Sequence, residues 1–133
     1  ADDNMWKIFS TITYATTSLG RTKENQESNG TFGSSISLSG DGTRIVVGNP
    51  ENLENGDEGA GIVQVFQLRI DSDGWRQLGS PIHGRTIGGR FGFSVALSHD
   101  GESLIAGGPH RHLSNETGYA SVYGDLYVTP SES

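Results

Sequence analysis

Apolar positions along this chain come in short runs that alternate with polar residues and stop at glycine or proline. Between residues 35 and 39, Ile36 and Leu38 share one face of an alternating stretch, and Asp41-Gly42 follows. Ile45, Val46 and Val47 then form a second run, closed by Gly48 and Pro50. Period-2 alternation on either side of Asp-Gly predicts a β-hairpin, because Gly takes positive φ without a Cβ clash. The same pattern recurs with Val95 and Leu97, the turn at Asp100-Gly101, and Leu104, Ile105 and Ala106. Residues 32–50 and 91–109 align without gaps at an offset of 59 (32 to 91), and nine of the 19 positions are identical. A fixed-period repeat predicts a supersecondary unit that buries its apolar face against a neighbour.

The remaining pattern fills out the unit. Residues 6–14 are aromatic and β-branched and read as a strand. Residues 16–31 read as a long polar loop, and 49–61 as an acidic, Gly-rich one. The strongest strand is 62–70, with Ile62, Gln64, Phe66, Leu68 and Ile70 on one face and Val63, Val65, Gln67 and Arg69 on the other. A turn at 71–74 leads to a fourth strand at 75–78, stopped by Gly79 and Pro81. In the second copy, 118–128 repeats the third strand, with Gly59, Gly61 and Val63 matched by Gly118, Ala120 and Val122. Strands are thus expected at 35–39, 43–48, 62–70 and 75–78, then at 94–98, 103–106 and 119–128. No helix is expected. The second copy lacks a fourth strand, and residues 5–8, which begin the N-terminal strand, are the candidate substitute, supplied by another copy or a partner. The chain divides into an N-terminal strand and loop (1–31), a first unit (32–90) and a second unit (91–133).

Composition sharpens this. The chain has 133 residues, 20 of them Gly, with 32% hydrophobic and 19% charged residues. Many short strands with tight turns fit that content, and so little apolar material predicts further burial against a partner. A net charge of −7 argues against nucleic acid, whose phosphates need clustered Lys and Arg. No apolar run approaches the roughly 20 residues of a membrane span, and none reads as a signal peptide. With no cysteine there is no disulfide, thiolate metal site or cysteine nucleophile. Two glycosylation sequons begin at Asn29 and Asn115 and lean towards secretion.

Phe-Gly, a strand, Ser-x-Asp-Gly, a second strand and Gly-x-Pro together resemble the FG-GAP repeat of integrin-α-type β-propellers. Gly48-Asn49-Pro50 and Gly107-Gly108-Pro109 stand where that family has Gly-Ala-Pro. The resemblance covers about residues 32–123. It implies an all-β fold of antiparallel four-stranded blades of β-propeller type, here about two blades, a partial propeller. It also implies a binding or scaffolding role, usually extracellular or in a secretory lumen. Many members bind calcium in the loop after Gly-Ala-Pro. The corresponding residues here are 51–56, where Leu53 stands at a ligand position and cannot coordinate.

The candidate sites follow. Glu51, Glu54, Asp57 and Glu58 are the candidates for a low-affinity, irregular calcium site, against the simpler reading of a solvated loop. No other cofactor is expected. His110 and His112 have the i, i+2 spacing of a shared metal, but no third ligand accompanies them. Asp41, Asp71, Asp73 and Asp100 read as turn formers. Trp6, Ile8, Tyr119, Tyr123 and Tyr127 are the interface candidates. No nucleophile-elbow or zinc-protease motif is present, and 88–92 precedes a strand rather than a helix, so it forms no phosphate cradle. The expected function is a non-enzymatic binding or structural module that makes protein–protein or adhesion contacts, with a protein partner or with copies of itself. The alternatives are a small accessory subunit that stabilises a larger assembly and a fragment of a propeller hydrolase.

Overall fold

The computed structural model describes residues 6–8, 10–13, 31–51, 59–69, 74–110 and 117–124. Among these residues there is no α-helix, and the strands form two antiparallel sheets, one of five strands and one of three. The fold is all-β.

The first sheet begins with β1 (Ser35–Leu38) and β2 (Arg44–Asn49), joined by the Asp41-Gly42 turn. Gly42 has φ +76, so the turn demands a residue without a Cβ. Ser39 N–H donates to Arg44 O at 2.8 Å and closes the hairpin. The second sheet opens identically, with β6 (Ser94–Leu97) and β7 (Ser103–Gly108). There Ser98 N–H donates to Ser103 O at 2.8 Å, and Gly101 has φ +75.

β3 (Ile62–Arg69) pairs with β2 so that Ile45 faces Phe66, and β8 (Tyr119–Gly124) pairs with β7 so that Leu104 faces Tyr123. The hairpins therefore repeat at an interval of 59 (45 to 104), but the third strands repeat at 57 (66 to 123). This corrects the expected match of Val63 with Val122: the position of Val122 is that of Val65, and Ala120 stands in the place of Val63. The second connecting loop is two residues shorter. An even shift preserves which side chains face which way, so the sheet tolerates it.

β4 (Gly74–Gln77) pairs with the far half of β3, and β5 (Ile82–His83) pairs with its start. The two lie end to end along one edge of β3, bridged by a bond from Leu78 N–H to Val65 O. Gly79, at φ +74, and Pro81 interrupt what is otherwise one edge strand. The first unit is thus at most four strands wide, although it holds five strands. The second has three, β6-β7-β8, among the described residues. The expected N-terminal strand does not form in the described part of that stretch: residues 6–8 and 10–13 belong to no strand, and Trp6 and Ile8 are exposed. A β-rich composition needs an edge to pair with, and propensity alone does not provide one. Ser10 lies beside Gly74, at the start of β4, so this segment runs near the first sheet rather than alongside β8.

The sheets stack face to face. Val46, Val63 and Val65 from the first meet Leu104 and Ala106 from the second, and Phe91 of the intervening segment fills the centre. Phe91 is fully buried, stacks on Tyr119 at 5.6 Å and meets Tyr123 edge-on at 6.2 Å. The segment carrying it is tied to the first sheet by bonds from Arg90 N–H to Gly59 O and from Phe91 N–H to Ala60 O.

Candidate functional site

Each sheet has two faces, and the alternation of a strand decides which residues belong to which. Towards the second sheet the first presents Ser35 and Ser37 from β1, Arg44, Val46 and Gly48 from β2, and Val63 and Val65 from β3. The second answers with Val95, Leu97, Leu104, Ala106, Tyr119 and Tyr123. The two small serines let the strands approach and add directed bonds. Ser35 Oγ donates to Gly92 O at 2.7 Å, and Leu97 N–H donates to Ser37 Oγ at 2.9 Å. Arg44 Nη1 donates to Gly101 O at 2.7 Å across the stack, and its guanidinium stands near Glu102. At the closest point Gly48 meets Gly92, where a Cβ on Gly48 would collide with the carbonyl of Gly92.

The outer faces are open to solvent at some apolar positions, although on the first sheet Val47, Ile62 and Phe66 of the outer face are buried, with Phe32 edge-on against Phe66. On the first sheet Ile36 is 62% exposed and Leu38 55%; on the second, Val122 is 71% exposed and Ile105 43%. These residues lie on opposite sides of the stack. A strand that alternates Ser and Ile in this way points its serines at the other sheet and its isoleucine away from it.

The two Asp-Gly turns carry the same bonding. Ser39 Oγ and Thr43 Oγ1 donate to Asp41 Oδ1 at 2.8 Å, Thr43 N–H donates to it at 3.0 Å, and Ser39 Oγ accepts from Arg44 N–H. Ser98 Oγ and Glu102 N–H likewise donate to Asp100 Oδ1, and Ser103 N–H donates to Ser98 Oγ. Bonds from Thr43 and Ser39 favour the charged form of Asp41 and lower its carboxyl to about 2. Bonds from Ser98 and Glu102 lower that of Asp100. Both aspartates hold turns together.

At the opposite end of the strands, Glu51 pairs with Arg90, whose Nε donates to Glu51 Oε1 at 2.7 Å. Arg90 also stacks over Phe93 at 4.7 Å and holds a left-handed backbone, φ +56. The structure thus gives Glu51 a guanidinium partner, which competes with any calcium. Glu54, Asp57 and Glu58 lie outside the described residues, as do Asp71, Asp73, Arg111, His112, Asn29, Asn115 and Tyr127. His110, the repeat counterpart of Glu51, is buried at φ +61, and its N–H donates to Gly89 O at 3.3 Å. Among the described residues no three His, Cys, Asp or Glu side chains gather where they could hold a metal.

Of the interface candidates, Trp6 and Ile8 are exposed. Tyr119 and Tyr123 are half-buried inside the stack, so the interface they serve in this structure is the one between the two sheets. The Tyr119 hydroxyl accepts from Arg85 N–H at 3.0 Å, and the Arg85 guanidinium covers its ring at 4.2 Å. Ser35, Ser37, Arg44 and Arg90 hold the stack together and were not singled out from the sequence. The signal for the serines was present, since they alternate with Ile36 and Leu38. No family model matches the chain, and no curated protein matches it.

Proposed function

We propose that this chain is a non-enzymatic module of β-propeller type, whose sheets act as blades and whose outer faces bind protein. The observation that carries the reading is a pair of repeat-equivalent sheets stacked face to face with Ile36 and Leu38 on one outer face and Ile105 and Val122 on the other. Contiguous apolar positions on a sheet face favour a packed partner over water. The FG-GAP-like spacing of the repeat supports the same reading.

A photo-crosslinking amino acid tests it. Placed at Ile36 or Val122 in the host cell, it is expected to capture protein, whereas at exposed Ser80, in a bend, it captures little. Equal capture at face and bend positions, or none at the faces, would sink the reading.

A further inference from the structure

The exposed face of the second sheet is the repeat counterpart of a face that is buried in the same molecule. Ser94, Ala96, Ile105, Ala120 and Val122 stand where the first sheet has Ser35, Ser37, Val46, Val63 and Val65, on which the second sheet packs. On the far side of the molecule, Ile36 and Leu38 stand where the second sheet has Val95 and Leu97, which pack against the first. One chain therefore carries, pointing outwards, a second copy of one half of its inter-sheet contact and the β1 part of the other half; on the rest of the first sheet's outer face Val47, Ile62 and Phe66 are already buried within the chain.

The glycines make the same point independently. Gly48 has no room for a Cβ because Gly92 of the next sheet lies against it. The counterpart of Gly48 is Gly107, and that of Gly92 is Gly33. A Cβ on Gly107 would meet only Ser94 Oγ within 3 Å, with no neighbouring sheet against it. Gly33 repeats the φ of +91 seen at Gly92, with nothing within 4 Å of a built Cβ. The close-approach geometry is in place on both outer faces without its opposite half.

We infer that these faces dock two copies of this chain head to tail, the β6-β7-β8 face of one on the exposed β1 of the next, repeating along β1 the packing between its own sheets. Gly107 then lies against Gly33 of the next copy, and Ser94 Oγ takes the place of Ser35 Oγ as donor to the Gly33 carbonyl. Two internal bonds have no counterpart: Ser103 replaces Arg44, and Ala96 replaces Ser37. The contact between chains is accordingly weaker than the one within them, and assembly depends on concentration. A contact between different faces is heterologous, so it propagates beyond a dimer unless rotation closes it.

This inference rests on the proposed face-binding role and is tested separately by sedimentation of the purified full chain. The wild-type chain is expected to sediment at multiples of its 14.2 kDa, growing with concentration. Ile36→Lys removes one face and Val122→Lys the other. Both positions are exposed in the single chain, so each variant keeps the wild-type circular dichroism. Each alone is expected to be monomeric, and an equimolar mixture to form a one-to-one dimer and nothing larger. A wild-type chain that stays monomeric up to its solubility limit overturns the inference, and so does a single variant that still assembles or a mixture that does not. A monomeric chain whose face positions still crosslink another protein removes self-assembly and leaves the proposed function standing.

Discussion

Asp41 and Asp100 show how much one side chain settles in this molecule. Each carboxylate gathers a hydroxyl two residues before it and an amide two residues after it, so the turn is bonded from within before either strand finds its partner. The folded carboxyl of Asp41 is held at about 2, below its ordinary value of 3.8, and Asp100 is displaced in the same direction. A carboxyl lowered on folding contributes stability above its unfolded pKa and loses it as pH falls through the folded one. Acidification from about pH 4 to about pH 2 is therefore expected to lower the thermal midpoint of the wild-type chain more steeply than that of the Asp41→Asn/Asp100→Asn double variant. Parallel slopes in the two proteins across that window would remove the aspartates from the account of acid stability.

At the scale of elements, the contact between sheets is set by Gly48 against Gly92. Both sides of that contact are backbone, so neither can swing away from an added methyl group. Gly48→Ala is expected to destabilise the chain by about 1–3 kcal/mol, the range for overpacking a filled interior. Chemical denaturation measures it, and a change below about 0.5 kcal/mol, ordinary for a surface site, would mean that the sheets do not meet there. The hairpins were readable from sequence because all their determinants are local: alternation, Asp-Gly and a Gly-x-Pro stop lie within one copy of the repeat. The third strand was readable as a strand but not in its register, since a loop shortened by two residues leaves the face pattern unchanged and only pairing reveals the shift. The N-terminal stretch has strand composition and no strand in its described residues, because pairing is decided by an edge far away in sequence. Which face of β1 turns inward was equally out of reach. Period-2 patterning separates Ser35 and Ser37 from Ile36 and Leu38, but the inward choice depends on Gly92 and Leu97, some 60 residues on. Arg90 and Glu51, 39 residues apart, are hidden for the same reason.

On the scale of the whole molecule, the two sheets share one core, with Phe91 lodged between Val63 and Val65 on one side and Leu104 and Ala106 on the other. Neither sheet keeps its apolar face covered if the other leaves, so both are expected to unfold in one transition. Fluorescence of Trp75 in a Trp6→Phe background reports the first sheet, and the methyl NMR signals of Leu104 and Ala106 report the second. Their midpoints are expected to coincide, and Leu104→Ala to lower both together by about 2–5 kcal/mol. Separate midpoints would make the sheets independent units. The Gly48–Gly92 contact has one more consequence. It fixes a single geometric operation, a turn and a shift, that carries the first sheet onto the second. If neighbouring chains meet through the same operation, the architecture of the whole assembly is encoded inside one protomer. A pure rotation by a whole fraction of a circle closes into a ring, and any leftover translation winds the chains into an open helical fibre. A ring closed by copies of this pair of sheets alone therefore holds an even number of sheets.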